Sequence, residues 1–324
     1  MADERVPYDE FSMFHENAQE YGIPYPGPPV VRRERVEVAP GRAMSALVWG
    51  NEPAELVFLH GGAQNAHTWD TVALALDRPL VAIDLPGHGH SDGGRQGSLD
   101  IDANADDMAT VIGALAPDAR AVVGMSLGGM TTLALAGHAP ALVRSVVLVD
   151  ITPGVTAEKS ATIHAFVAGP ESFESFDDLL ARTIEFNPTR RESSLRRGIL
   201  HNAVQRDDGS WVWRYARFRA EETDAPAISD FARRWDAVSK LTVPLMLVRG
   251  MTSQSVVDDD DEAELLRRQP GARVEHVEGA GHSVQGDRPV ELAALIADFV
   301  DAGAVGGPGA AAAQGGGGTG PVRR

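Results

Sequence analysis

The stretch Ala121-Val122-Val123-Gly124-Met125-Ser126-Leu127-Gly128-Gly129 constrains the fold more than any other. A short apolar run ends in Gly-x-Ser-x-Gly and opens into an alanine- and leucine-rich helical pattern. That order predicts a strand, a sharp turn and a helix, with Ser126 at the apex. A turn so tight brings strand and helix too close for side chains at the flanking positions, which accounts for the glycines. It also points the next backbone N–H groups at the serine hydroxyl. The motif alone is weak, since a chain with 34 glycines offers chance matches. Its neighbours must carry the argument.

Those neighbours are short apolar runs bounded by loop residues. Residues 55–59, 80–83, 145–149, 244–248 and 272–277 read as strands, and such near-continuous runs fit strands buried on both faces of a parallel sheet. Arg35-Val36-Glu37-Val38 and 43–49 suggest two earlier strands joined at Pro40-Gly41. Helical patterns lie between them at 68–76 and 101–115. After Ser126 a helix runs to about Gly137, before Pro140. A last helix covers 289–300, with Pro289 at its start. Strands alternating with helices predict an α/β fold with a mostly parallel central sheet flanked by helices.

Two segments break the rhythm. Residues 155–235 are rich in charge and aromatics, among them Phe166, Phe186, Trp211 and Trp213, and contain no strong strand run. They read as a helical cap inserted between two halves of one core, 31–154 and 236–302. Residues 1–30 read as an N-terminal arm. Residues 303–324 are Gly/Ala-rich and too poor in apolar surface to order themselves, so a disordered tail is expected there.

Composition removes several classes of function. The 324 residues are 43% hydrophobic, ample for a core, and carry a net charge of −17. A phosphate backbone is repelled by that field, so no nucleic-acid partner is expected. Cysteine is absent, which rules out thiol catalysis and thiolate metal sites. No secretory signal pattern and no run of roughly 18 apolar residues is present, so a cytoplasmic location without a membrane span is expected. Oligomeric state is not legible.

A hydroxyl becomes a good nucleophile when a histidine, itself held by a carboxylate, removes its proton. Gly279-Ala280-Gly281-His282-Ser283 places His282 on a loop after the last strand run. From the carboxyl end of that strand, His282 can reach a serine at the carboxyl end of another. Negative charge developing on an attacked carbonyl needs donors. Leu127 N–H, directly after Ser126, is one. The loop His60-Gly61-Gly62-Ala63 offers Gly62 N–H as the other.

With these motifs in order, the chain resembles members of the α/β-hydrolase superfamily with a helical cap. His60-Gly61-Gly62, Asp84-Leu85-Pro86-Gly87-His88-Gly89-His90-Ser91, the Ser126 elbow and Gly281-His282 carry the resemblance, which spans about residues 33–302. It implies an α/β-hydrolase fold and a capped serine hydrolase of the esterase kind. In such proteins the segment from Asp84 to Ser91 shapes a loop near the pocket.

The acid departs from the family pattern. Its usual place follows the strand run 244–248, where Gln254 stands instead of Asp. Asp258 comes slightly later, at what looks like the first turn of a helix. Asp150 ends the neighbouring strand run, where some members of the family carry their acid. Asp150 is therefore the first candidate and Asp258 the alternative, with Ser253 or Gln254 as weaker polar orienters. Trp211 to Tyr215 either line an acyl pocket or belong to the lid core. His201 and Arg196 are candidates for facing the site without an assigned role.

The expectation is a Ser126–His282–Asp150 triad with Gly62 and Leu127 as oxyanion hole, cleaving an ester or related activated carbonyl of a small molecule through an acyl-enzyme. No cofactor and no metal are implied. Serine at the elbow speaks against the dehalogenase and epoxide-hydrolase branches, which carry Asp there. C–C bond hydrolysis, thioester cleavage and acyl transfer are alternatives on the same fold. A ligand-binding module with little turnover is the alternative of another class.

Overall fold

A computed structural model of the chain describes residues 5–94, 100–188, 190–215 and 228–305. The tail expected at 303–324 lies outside the described residues from 306 onward. The strands, in chain order, are β1 (Val31–Ala39), β2 (Arg42–Trp49), β3 (Leu56–Leu59), β4 (Leu80–Ile83), β5 (Ala121–Met125), β6 (Val146–Val149), β7 (Ser172–Phe173), β8 (Ala203–Gln205), β9 (Trp211–Trp213), β10 (Leu245–Gly250) and β11 (Arg273–Val277). The helices are α1 (Phe14–Tyr21), α2 (Asp70–Leu76), α3 (Ile101–Leu115), α4 (Leu127–His138), α5 (Ala161–Val167), α6 (Phe176–Phe186), α7 (Glu192–Asn202), α8 (Trp235–Lys240), α9 (Asp259–Arg268), α10 (Val284–Asp287) and α11 (Pro289–Val305).

The main sheet has eight strands in the order β1-β2-β4-β3-β5-β6-β10-β11. β1 pairs antiparallel with β2, and β2 with β4; every other pairing is parallel. This is the α/β architecture expected from the apolar runs. Every residue of β3, β4, β5 and β6 is buried, as strands covered on both faces must be. Met108, Met130 and Leu133 of α3 and α4 pack on one face against Leu59, Val122 and Leu148. Phe14, Val72, Leu292 and Ile296 of α1, α2 and α11 cover the other against Phe58, Val123 and Val149. Truncating a wholly buried leucine such as Leu133 costs about 2–5 kcal/mol.

The order of strands positions the site. β3 lies between β4 and β5, so the chain leaves β3 to one side and returns on the other. Loops diverge at such a switch point and leave a crevice beyond the strand carboxyl ends. Register aligns those ends: Leu59 pairs with Gly124, Met125 with Val149, and Val149 with Val248.

Three features differ from the sequence reading. The arm at 1–30 contains α1, whose Phe14 packs on Trp49 with ring centroids 5.0 Å apart. The cap, expected to be helical, also carries a three-stranded antiparallel sheet, β7-β9-β8. Strands of two or three residues are too short to imprint a period of two on the sequence. α11 runs to Val305, past the expected core boundary at 302.

Candidate active site

Ser126 joins β5 to α4 at φ 52° and ψ −118°, a backbone conformation that costs a non-glycine residue about 1–3 kcal/mol. The surrounding packing enforces it. A Cβ on Gly124 would lie 2.4 Å from Gly128 O, and one on Gly128 would lie 2.3 Å from Leu59 O. Glycine at both positions lets β5, α4 and the end of β3 meet. Leu127 is the first residue of α4, so its N–H has no acceptor within the helix.

The loop after β3 touches the elbow: a Cβ on Gly61 would sit 3.2 Å from Ser126 Cβ. Two buried histidines lock this loop to the one after β4. His60 Nδ1 donates to Gly61 O (2.7 Å) and its Nε2 accepts from Leu85 N–H (2.9 Å). His88 Nδ1 donates to Pro86 O (3.0 Å) and its Nε2 accepts from Ala63 N–H (3.1 Å). Both roles require neutral rings with the proton on Nδ1. Burial supplies that state, driving both pKa values down, His88's to about 3 with help from His60. Ala63 is held at φ 61° beside Gly62. Among the described residues the Gly62 N–H has no acceptor, and Gly62, Leu127, Ser126 and His282 all line one cavity.

Asp150 follows β6 and is wholly buried, at φ 47°. Its Oδ2 lies 2.9 Å from His282 Nδ1. A carboxylate only accepts, so Nδ1 carries the proton and Nε2 keeps the lone pair. Gly250 N–H (2.9 Å), Ser255 O–H (2.6 Å) and Val256 N–H (3.1 Å) complete the carboxylate's shell.

The alternative acid is placed elsewhere. Asp258 is the N-cap of α9: its side chain accepts from Asp261 N–H (3.0 Å) and the Asp261 carboxylate reciprocates. Lys159 Nζ sits 2.7 Å from Asp258 Oδ2. Capping and this ion pair occupy the carboxylate, and His282 is bound to Asp150 instead. Gln254 lines the cavity beside Gly281, whose hypothetical Cβ would touch Gln254 Cβ at 2.8 Å.

The crevice is roofed by the cap and encloses about 570 Å³. Ile163, Phe166, Val167, Phe186 and Trp213 give it an apolar wall. The aromatic pair of β9 divides its roles: Trp211 is 4% exposed inside the cap core, whereas Trp213 faces the cavity. Arg196 stacks over Phe176 at 4.7 Å and is not a lining residue, while His201 is one.

Below His201 lies a charged network that the motif reading missed. Among the described residues His67, Asp70 and His201 form the one trio able to offer a metal three donor atoms, all within 4.8 Å of one another. Both His67 nitrogens are already engaged, Nδ1 with Asp70 (2.8 Å) and Nε2 with Glu10 (3.0 Å). Burial opposes charge on His67, but the two carboxylates outweigh it and raise its pKa to about 9. Burial pushes Glu10 up, yet hydrogen bonds from His67 and Arg33 hold it down at about 2. His201, desolvated and facing the His67 cation, is held neutral. The trio is therefore built as an ion-pair network. The sequence reading gives Ser255 no role, and names His60 and His88 only as members of the His60-Gly61-Gly62 and Asp84–Ser91 motifs, without the loop-locking hydrogen bonds they make.

A model of the alpha/beta hydrolase family matches residues 56–295. Esterase Rv0045c of Mycobacterium tuberculosis is 45% identical over 307 residues, 92% of this chain and 98% of that protein. A crystal structure of that esterase superposes with a TM-score of 0.79 at 43% identity, covering 92% of this chain and all of the other. The 2-(acetamidomethylene)succinate hydrolase of Mesorhizobium japonicum is 30% identical over 250 residues, 76% of this chain and 88% of its own length.

Proposed function

The chain belongs to the alpha/beta hydrolase family, and from that premise we propose that it is an esterase acting on small molecules through a Ser126–His282–Asp150 triad. The observation that carries the reading is the Asp150–His282 hydrogen bond, 2.9 Å long, in a cavity whose wall includes the strained Ser126 turn. His282 Nε2 takes the Ser126 proton as Oγ attacks the ester carbonyl. Asp150 stabilises the imidazolium that forms. The oxyanion is received by Leu127 and Gly62 N–H, each worth about 3–4 kcal/mol in the transition state. His282 then returns the proton to the leaving alcohol, and water attacks the acyl-enzyme by the same route reversed. The apolar wall of Ile163, Phe166 and Trp213 suits a hydrocarbon part of the substrate. The reading includes the cytoplasm as compartment, where a chain without cysteine is unexceptional.

A fluorophosphonate probe tests it. The expected result is stoichiometric labelling of Ser126 that competes with a 4-nitrophenyl ester and vanishes in Ser126→Ala. Folded protein that stays unlabelled, or Ser126→Ala that still turns over esters, would overturn it.

A further inference from the structure

We propose that Arg190 forms an anion subsite in the cavity, so that the preferred esters carry a carboxylate; for the reaction, though not for the binding, this rests on the esterase reading above. The argument is a contrast among the cations on the cavity wall. Lys159 Nζ lies 2.7 Å from both Asp258 and Asp261. Arg197 is held by Glu20 (2.6 Å) and by Asn17 Oδ1 (2.7 Å). His67 sits between Asp70 and Glu10. Arg190 lines the same cavity, yet among the described residues no carboxylate lies within ion-pair distance of it. Among the described residues its side chain makes one hydrogen bond, Nη2 to Ser194 Oγ at 2.9 Å. Its Nε is buried with no acceptor among the described residues. The chain has 46 acidic residues against 29 basic ones, so acids are not in short supply. A buried guanidinium donor left without an acceptor is uncommon in folded proteins, because desolvating it unpaired is costly.

The guanidinium is also held in place. Gly286 packs against its plane: a Cβ there would lie 2.7 Å from Arg190 Cζ and 2.8 Å from Nη1. Tyr21 O–H donates to Gly286 O at 3.1 Å and ties that backbone to α1. Gly286 belongs to α10, the turn that follows His282 directly. An anion on Arg190 is thus anchored beside the segment that carries the catalytic base, and the apolar wall takes the rest of the substrate. A planar fork with one positive charge matches a carboxylate in shape and in charge. A phosphate dianion would leave one charge uncompensated.

Binding to the Ser126→Ala protein tests the subsite without turnover. Monobenzyl succinate and benzyl butyrate are compared by calorimetry in 50 mM and 500 mM NaCl, with inorganic phosphate as a third ligand. The expected result is about 10- to 100-fold tighter binding of the succinate ester, less at high salt, and weak phosphate binding. Adding Arg190→Gln should collapse the ratio between the two esters to near one, and Arg190→Lys should restore part of it. Equal affinity for the two esters in the Ser126→Ala parent, or a ratio that survives Arg190→Gln, would overturn the subsite. Release of benzyl alcohol by the unsubstituted protein separates the two proposals. Turnover without anion preference removes the subsite alone. Anion preference without turnover or probe labelling removes the esterase reading and leaves the subsite standing.

Discussion

Replacing Asp150 with asparagine perturbs the site where its geometry is tightest. The carboxylate accepts four hydrogen bonds, Gly250 N–H and Ser255 O–H on Oδ1, Val256 N–H and His282 Nδ1 on Oδ2. An amide keeps one oxygen. With that oxygen at the Oδ1 position, the NH2 group faces two donors, and His282 escapes by moving its proton to Nε2. That tautomer cannot take the Ser126 proton. With the amide flipped, His282 keeps its acceptor, but the NH2 group confronts the Gly250 N–H. Either way a buried main-chain donor is stranded, at about 1–3 kcal/mol of stability, and the negative charge that stabilises the imidazolium is lost. For a triad of this kind the loss of kcat is about 10⁴-fold, or about 5 kcal/mol of barrier. The assay is steady-state hydrolysis of a 4-nitrophenyl ester at pH 8, on protein shown by thermal melting to be folded. Asp258→Asn is the control. Asparagine caps a helix as well as aspartate does, so only the Lys159 ion pair is lost and kcat should stay within about twofold. Asp150→Asn retaining more than a tenth of wild-type kcat would refute the reasoning, as would an equal loss in Asp258→Asn.

Three further outcomes follow from the same geometry. His88→Leu deletes the acceptor of the Ala63 N–H and should lower kcat about 10- to 100-fold with KM nearly unchanged; a pure KM effect would contradict the oxyanion-loop role. His67 has its pKa raised from 6.5 to about 9, so its contribution to stability is complete below pH 6.5 and drains away as pH rises towards 9. The wild-type melting temperature should fall across that window, and the fall should flatten in His67→Gln; identical slopes would dismiss the network. Gly128→Ala sets a Cβ 2.3 Å from Leu59 O, and should cost about 3 kcal/mol or more, read as a lost or strongly lowered melting transition.

Much of the fold is legible in the sequence because its signals are local. Strands β3 to β6 are short apolar runs, and the helix after Ser126 is written in a contiguous pattern. Gly124 and Gly128 announce the elbow by their spacing about Ser126; the clash Gly124 avoids is with Gly128 and Gly129 a few residues away, whereas Gly128 clears Leu59 O at the end of β3. Other features left no local trace. α1 is polar apart from Phe14 and Ala18, and its helix is worth forming only against Trp49 and the cap's Arg197. Ser255 is one serine among many until it meets Asp150.

The sequence by itself determined the strand–turn–helix around Ser126, the glycine loop after β3 and a histidine after the last strand. It left two acids open, because both Asp150 and Asp258 follow strands whose ends point the same way. Tertiary structure decided where each acid's bonds go. Parallel register sets Val149 between Met125 and Val248, so the residue after it emerges between the Ser126 turn and the end of β10. There Asp150 meets His282, while Asp258 is spent on the first turn of α9. Register across a sheet is a relation among distant segments, set by packing of the whole core, and no spacing along the chain encodes it.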